Sequence, residues 1–369
     1  SVKADFNVQF SSLKGALKNP EKSTLSATIS DLNLELDDVL QLQPELAQNQ
    51  YLDSLSAQPI TGNLKAVGSL EKVNDFNTEL LWGKDTKLTA EGSISNLTAI
   101  DSLRYDLNDI SFTSTKFAVN KIISSKELGI AIPESILAEG SLSGGTTWVN
   151  PDLQIKIPEG NANVNALVDF DDIMKFNGQI SVDSLQLGKL LQNDQLGKLS
   201  LKIEGTGAGS QLNDFDSTID GTITQFQYDG YDYNDIEITG NLKNGNGTVT
   251  ANIDDPNLNM KVNSTMALSS QENDIIFTSN IIGADLQQLG LTKNNIKIAA
   301  NINGNYTGTP SNFTINTTIE DGVTIADNEQ YQVAAIALKA HIEDSITDVS
   351  VKSNFLNGQL ASNASPNRI

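Results

Sequence analysis

The sequence predicts an all-β protein, built as one elongated repeat array of antiparallel strands rather than as separate globular domains. Three observations predict it. Apolar and polar residues alternate with a period of two through most of the chain. A short apolar knot recurs at four places. A glycine followed seven residues later by an Asp–apolar pair recurs after the first three knots.

The alternation is clearest in "KLSLKIEGTG", which places Leu199, Leu201 and Ile203 on one face and Lys or Ser on the other. "NIKIAANING" does the same with Ile296, Ile298, Ala300 and Ile302, and "NFTINTTI" with Phe313, Ile315 and Ile319. "QYDGYDYNDIEITG" predicts a hairpin turning at Asp229-Gly230, a pair that tolerates positive φ at both central positions. Tyr228 and Tyr231 flank that turn, with their polar tips expected in water. Helical periodicity is scarce, and its best candidate is "DDVLQLQPELAQNQYLDSLSAQP" at 37–59.

The knot reads apolar-x-apolar-x-x-apolar-apolar. "LQLGKLL" supplies Leu185, Leu187, Leu190 and Leu191; "LELDDVL" supplies Leu34, Leu36, Val39 and Leu40. "FAVNKII" adds Phe117, Val119, Ile122 and Ile123, and "ADLQQLG" is a weaker copy with Ala284, Leu286 and Leu289. The glycine signature runs from Gly68 to Asp75-Phe76, from Gly145 to Asp152-Leu153, and from Gly207 to Asp214-Phe215. A shortened form runs from Gly308 to Asn312-Phe313. It predicts a strand end, a wide polar turn and an apolar re-entry. Together the signatures divide the chain into approximate modules 30–112, 113–180, 181–279 and 280–360, with 361–369 a ragged tail.

An alternating strand has an apolar face that must be covered, and few helices are available here to cover it. The sheet must pair with another sheet, close into a barrel, or curl around something apolar. The strands look like consecutive hairpins rather than the short coils of a β-helix. A long meander curled into a gutter fits best, with each apolar knot a short helical crossover from one edge of the sheet to the other.

Composition excludes several functions. With 24 basic and 46 acidic residues the formal charge is −22, which argues against binding nucleic acid and against a polybasic face on anionic membranes. The absence of cysteine excludes disulfides, thiolate metal sites and a cysteine nucleophile. No stretch approaches the ~18 apolar residues of a membrane-spanning helix. The acidic, Asn/Thr/Ser-rich character suits a bacterial envelope or exported protein. The single histidine, His341, falls on the solvent side of "AIALKAHIED" with no partner spacing for a triad or metal site. "GTGAGS" at 205–210 lacks the third glycine of a dinucleotide loop and reads as a turn. Paired carboxylates such as Asp37-Asp38 and Asp171-Asp172 are expected by chance among 46 acids, and no acidic run has the spacing of an EF-hand.

Strand blocks of this length, punctuated by "LxLxxLL"-like segments and a Gly…Asp-Phe re-entry, resemble the AsmA/TamB-type proteins of the Gram-negative envelope. "ISVDSLQLGKLLQNDQLGKLSLKIEGTG" and "IIGADLQQLGL…IKIAANINGNYTG" carry most of the likeness, which spans about 25–360 and has a Bacteroidota flavour. The resemblance implies a repeating β-groove, also called a β-taco, of the bridge-like lipid transfer type. It implies a non-enzymatic segment without cofactor or metal, carrying phospholipid acyl chains between inner and outer membranes or aiding outer-membrane assembly. It further implies a periplasmic location, an inner-membrane tether and an outer-membrane β-barrel partner, all through regions outside a middle segment such as this one. The residues expected to line the groove are Leu199, Leu201, Ile203, Ile296, Ile298, Ile302, Phe313 and Ile315, with Leu187, Leu190 and Leu191 from the crossover. Keeping a ~16-carbon chain out of water is worth on the order of 12 kcal/mol, so such a path must be apolar throughout. The alternatives are a structural or adhesive β-repeat protein with a closed core and no cargo and, behind it, a carbohydrate-active protein, which the scattered aromatics disfavour.

Overall fold

A computed structural model of the chain describes residues 2–10, 12, 14, 18, 19, 22–42, 54–269, 271–309, 311–343 and 346–364. The period-two alternation produces strand nearly everywhere, and strands adjacent in the chain pair antiparallel. The chain divides into two compact units, residues 1–172 with 178–194, and residues 173–177 with 195–369.

The first unit begins with β1 (Val2–Gln9), β2 (Thr24–Leu34) and β3 (Ile60–Ser69), followed by β4 (Lys72–Trp82), β5 (Thr86–Ser95) and β6 (Arg104–Thr115). β7 (Ser135–Gly145), β8 (Trp148–Ile157) and β9 (Gly160–Asp169) continue it, and β10 (Met174–Gln186), of which the residues from 178 onward belong to this unit, pairs with β9. Short helices lie in the connections, among them α1 (Leu36–Leu42), α2 (Lys116–Val119), α3 (Ser125–Leu128) and α4 (Leu187–Leu191). α3 starts with a capping box between Ser124 and Glu127 and stops at Gly129, whose φ of 70° closes the turn in the left-handed region.

The second unit contains β11 (Leu196–Gly209), β12 (Asp216–Tyr228), β13 (Tyr231–Tyr233) and β14 (Ile236–Lys243). Then come β15 (Asn246–Asp255), β16 (Leu258–Ala267), β17 (Asn273–Asp285), β18 (Ile296–Gly308) and β19 (Phe313–Ala326). β20 (Glu329–Val333), β21 (Ile336–Glu343), β22 (Ile346–Lys352) and β23 (Asn357–Ser362) complete it. β12 pairs first with β13 through Tyr228↔Tyr231 and then with β14, so the predicted turn at Asp229-Gly230 is present, with φ of 48° and 84°. β19 repeats the device, pairing with β20 and then β21 around the positive-φ residues Asp327 and Asn328.

Three expectations need correction. The strands on either side of the knots at 34–40, 117–123 and 284–290 pair directly with each other, as β2–β3, β6–β7 and β17–β18. These knots are therefore elaborated hairpin ends and not crossings from edge to edge. They are short helices or turns, as the sequence suggested, and the chain returns through each of them to pair with the strand it has just left. The wide turn predicted after Gly68 and Gly145 is absent: β3–β4 and β7–β8 turn tightly, and Asp75 and Asp152 lie inside β4 and β8. The wide form does occur between β11 and β12 and between β18 and β19. The stretch Gly205–Gly209 is the end of β11 rather than a turn. In the proposed 37–59 helix, α1 covers its first residues and one turn spans 54–56, while 43–53 lie outside the described residues.

Candidate functional site

Residues directly opposite one another in an antiparallel pair point to the same side of the sheet. The registers therefore trace rows across each unit. In the first unit one row runs Leu64, Thr78, Ala90, Ile110, Gly140, Leu153 and Val164 from β3 to β9. In the second a row runs Ile203, Gly221, Ile238, Ala251, Val262, Ser279, Ile302, Ile319 and Ile336 from β11 to β21.

The reverse face is polar. Lys65 and Asp75 pair across β3–β4 at 2.7 Å, the Asn77 amide donates to Glu91 at 2.6 Å, and Lys156 meets Glu139 at 3.3 Å. In the second unit Asn280 donates to Asn301 at 2.7 Å, and Asn301 to Asp321 at 2.9 Å. His341 belongs to this polar side, between Thr314 (2.9 Å) and Glu343 (3.1 Å).

All eight strand residues named from the sequence share one side of the second unit's sheet. Leu199, Leu201 and Ile203 oppose Phe226, Ile223 and Gly221. Ile298 opposes Ala284, Ile302 opposes Ser279 and Ile319, and Ile296, two residues before Ile298, opposes Ala326. Phe313 opposes Gly308 and Ile342, and Ile315 opposes Tyr306 and Ala340. The three knot residues do not act together: Leu190 is buried, Leu187 is half-buried and Leu191 is exposed. They sit in α4 of the first unit, where the Leu190 carbonyl accepts from the Ala131 N–H at 2.7 Å.

Sequence reasoning missed how the face is kept smooth. A Cβ on Gly304 would fall 2.3 Å from the Phe277 ring, which lies across it, and one on Gly144 would fall 2.3 Å from the Tyr105 hydroxyl. Glycine opposite an aromatic lets the ring lie flat on the backbone. The signal was present as glycines inside strands, but it takes the register to show which ring each one faces. Burial pushes the Tyr105 hydroxyl above its usual pKa, in keeping with its place on the apolar side.

A second feature missed is a buried carboxylate. Asp255 accepts from the Tyr231 hydroxyl, from the backbone N–H of Asn234 (3.0 Å) and from that of Asn257 (2.8 Å). Tyr231 was expected to point its tip into water; it instead ties the β12–β13 hairpin to the β15–β16 turn. Burial raises the pKa of Tyr231 and Tyr233, and the charge of Asp255 adds to both. Among the described residues no His/Cys/Asp/Glu group has the arrangement of a metal site, and no helix is long and apolar enough to cross a membrane.

No family model, curated protein or solved structure matches the chain.

Proposed function

We propose that the chain is a non-enzymatic lipid-binding segment whose apolar sheet face takes phospholipid acyl chains, in the manner of the AsmA/TamB-type proteins it resembles. The observation that carries this reading is the Ile203–Ile336 row, whose isoleucines and valine are only half-buried in the described structure. Apolar area left in water is costly, at roughly 25 cal/mol per Å², unless something apolar occupies it. In this reading the face curls into a groove, Ile203, Ile298 and their neighbours are its passive lining, and no cofactor takes part. The setting is the periplasm, with the tether and any outer-membrane β-barrel partner supplied by other parts of a larger protein.

Native mass spectrometry of the purified chain, followed by organic extraction, tests this. Phospholipid-sized adducts are expected in the wild type and lost in Ile203→Asp and Ile298→Asp. Adducts unchanged in both variants overturn the groove. A clean apo mass favours the competing reading, a structural or adhesive β-repeat with no cargo.

A further inference from the structure

Phe117 occupies a knot position that the repeat makes apolar and inward, yet it is 63% exposed. It belongs to a 116–134 excursion between β6 and β7. That excursion is closed at its root where the Lys116 N–H donates to the Glu134 carbonyl (3.2 Å) and the two side chains form an ion pair (2.8 Å). The excursion already has an interior, with Ala118 and Ile132 buried, so Phe117 is not outside for want of small residues to pack. Leu128 and Ile130 also stand outside it, 42% and 37% exposed. The bond from the Ala131 N–H to the Leu190 carbonyl brings α4 alongside and adds Leu191, 44% exposed, to the same margin.

Lysines are interleaved with these side chains. The Lys121 ammonium lies 4.5 Å from the centre of the Phe117 ring, and Lys126 and Lys189 are exposed. Segments 116–134 and 187–191 together hold four lysines and two glutamates, in a chain where acids outnumber bases 46 to 24. Glu134 is engaged by Lys116, and Glu127 by the Ser124 N–H and hydroxyl. The overall charge argues against a polybasic face, but this margin is a local reversal of it.

We propose that this margin of the first unit docks on a bilayer surface bearing anionic headgroups. Phe117, Leu128, Ile130 and Leu191 enter the boundary between headgroups and acyl chains, while Lys121, Lys126 and Lys189 meet the anionic groups. A fluid surface suits the feature better than a folded partner does. The apolar residues stand on or just after short helices, each within four residues of a lysine in the chain, and β6 and β7, paired with each other, offer no free strand edge there for a peptide to extend. Salt screens the attraction between exposed lysines and headgroups, so binding weakens as ionic strength rises.

Flotation of the full chain with phosphatidylcholine vesicles, with and without phosphatidylglycerol, tests the proposal. Binding is expected only when phosphatidylglycerol is present and falls as salt is raised. Lys121→Ala, Lys126→Ala and Lys189→Ala each weaken it about fivefold, and the Phe117→Asp/Leu191→Asp double variant weakens it about tenfold or more. If the double variant loses its β-sheet circular dichroism, the lysine variants decide. Absence of flotation, equal binding to both vesicles, or variants that bind like the wild type overturn the proposal. Retention on an acidic polypeptide without flotation assigns the margin to a protein partner instead. Extracted lipid measured on the same preparations separates the two readings: lipid retained without flotation removes the docking alone.

Discussion

The β3–β5 face and the β21–β23 face carry the same alternation and differ in what lies over them. On the first, Ala66, Val73, Trp82 and Ala90 are buried, and the Trp82 indole donates to the Leu55 carbonyl at 2.7 Å. The Lys121 ammonium stands 5.9 Å from the same ring. On the second, Leu338 and Leu360 are exposed, and Thr347 is the one buried residue among those described in these strands. Connections that fold back over β4 close the first face, whereas the connections of β21–β23 are too short to reach over the second. Alternation defines a face, and the length of the loops decides whether it is closed.

The largest effect that tests this contrast is Trp82→Ala, expected to cost about 3–5 kcal/mol in urea unfolding by removing a buried ring and stranding the Leu55 carbonyl. A loss below about 1 kcal/mol would mean that the two faces are energetically alike. Asp255→Ala comes next, at about 2–4 kcal/mol, because it leaves a hydroxyl and two backbone N–H groups without their acceptor. It asks whether the second unit, poor in buried apolar residues, is anchored by a polar cluster instead. The tyrosines above the same carboxylate give a pH signature. Their raised pKa means that folding favours the neutral phenol, so this stabilisation is whole below pH 10.0 and is lost as the pH rises through the raised values. The alkaline fall in melting temperature is expected to shrink in Tyr233→Phe; an unchanged alkaline limb would remove Tyr233 from the account.

Smaller effects sharpen the open side. Leu360→Ala is expected to cost less than about 1 kcal/mol, since the side chain keeps 48% of its exposure in the folded chain. Lys65→Ala, which breaks an ion pair with both side chains 54% exposed, is expected at the bottom of the scale, within about 0.5 kcal/mol by the same unfolding measurement.

Much of the strand content was legible, because period two is a direct imprint of a two-faced sheet. The Asp229-Gly230 hairpin was legible for a local reason: both residues adopt positive φ. The shared side of Leu199, Ile298 and Ile315 followed from alternation within each strand, but the rows that run from strand to strand needed the bulges, which alternation does not encode. Three of the four knots were found as a pattern and misassigned as crossings, since an apolar segment looks the same whether it spans a sheet or folds back on itself. Asp255 was invisible among 46 acids, because its role depends on Tyr231 and Asn234, more than twenty residues away in the chain.

The pairing of each strand with its chain neighbours has a consequence for synthesis. A strand emerging from the ribosome meets its partner at once in the strand made just before it, so hydrogen-bonding groups are satisfied in the order in which they appear. Apart from the outer edge of the first strand made, only the newest edge is unpaired at any moment, and the next strand covers it. Growth of this kind resembles the winding of a ribbon more than the collapse of a globule. It allows a long, acidic, cysteine-free chain to reach its folded form without waiting for its far end.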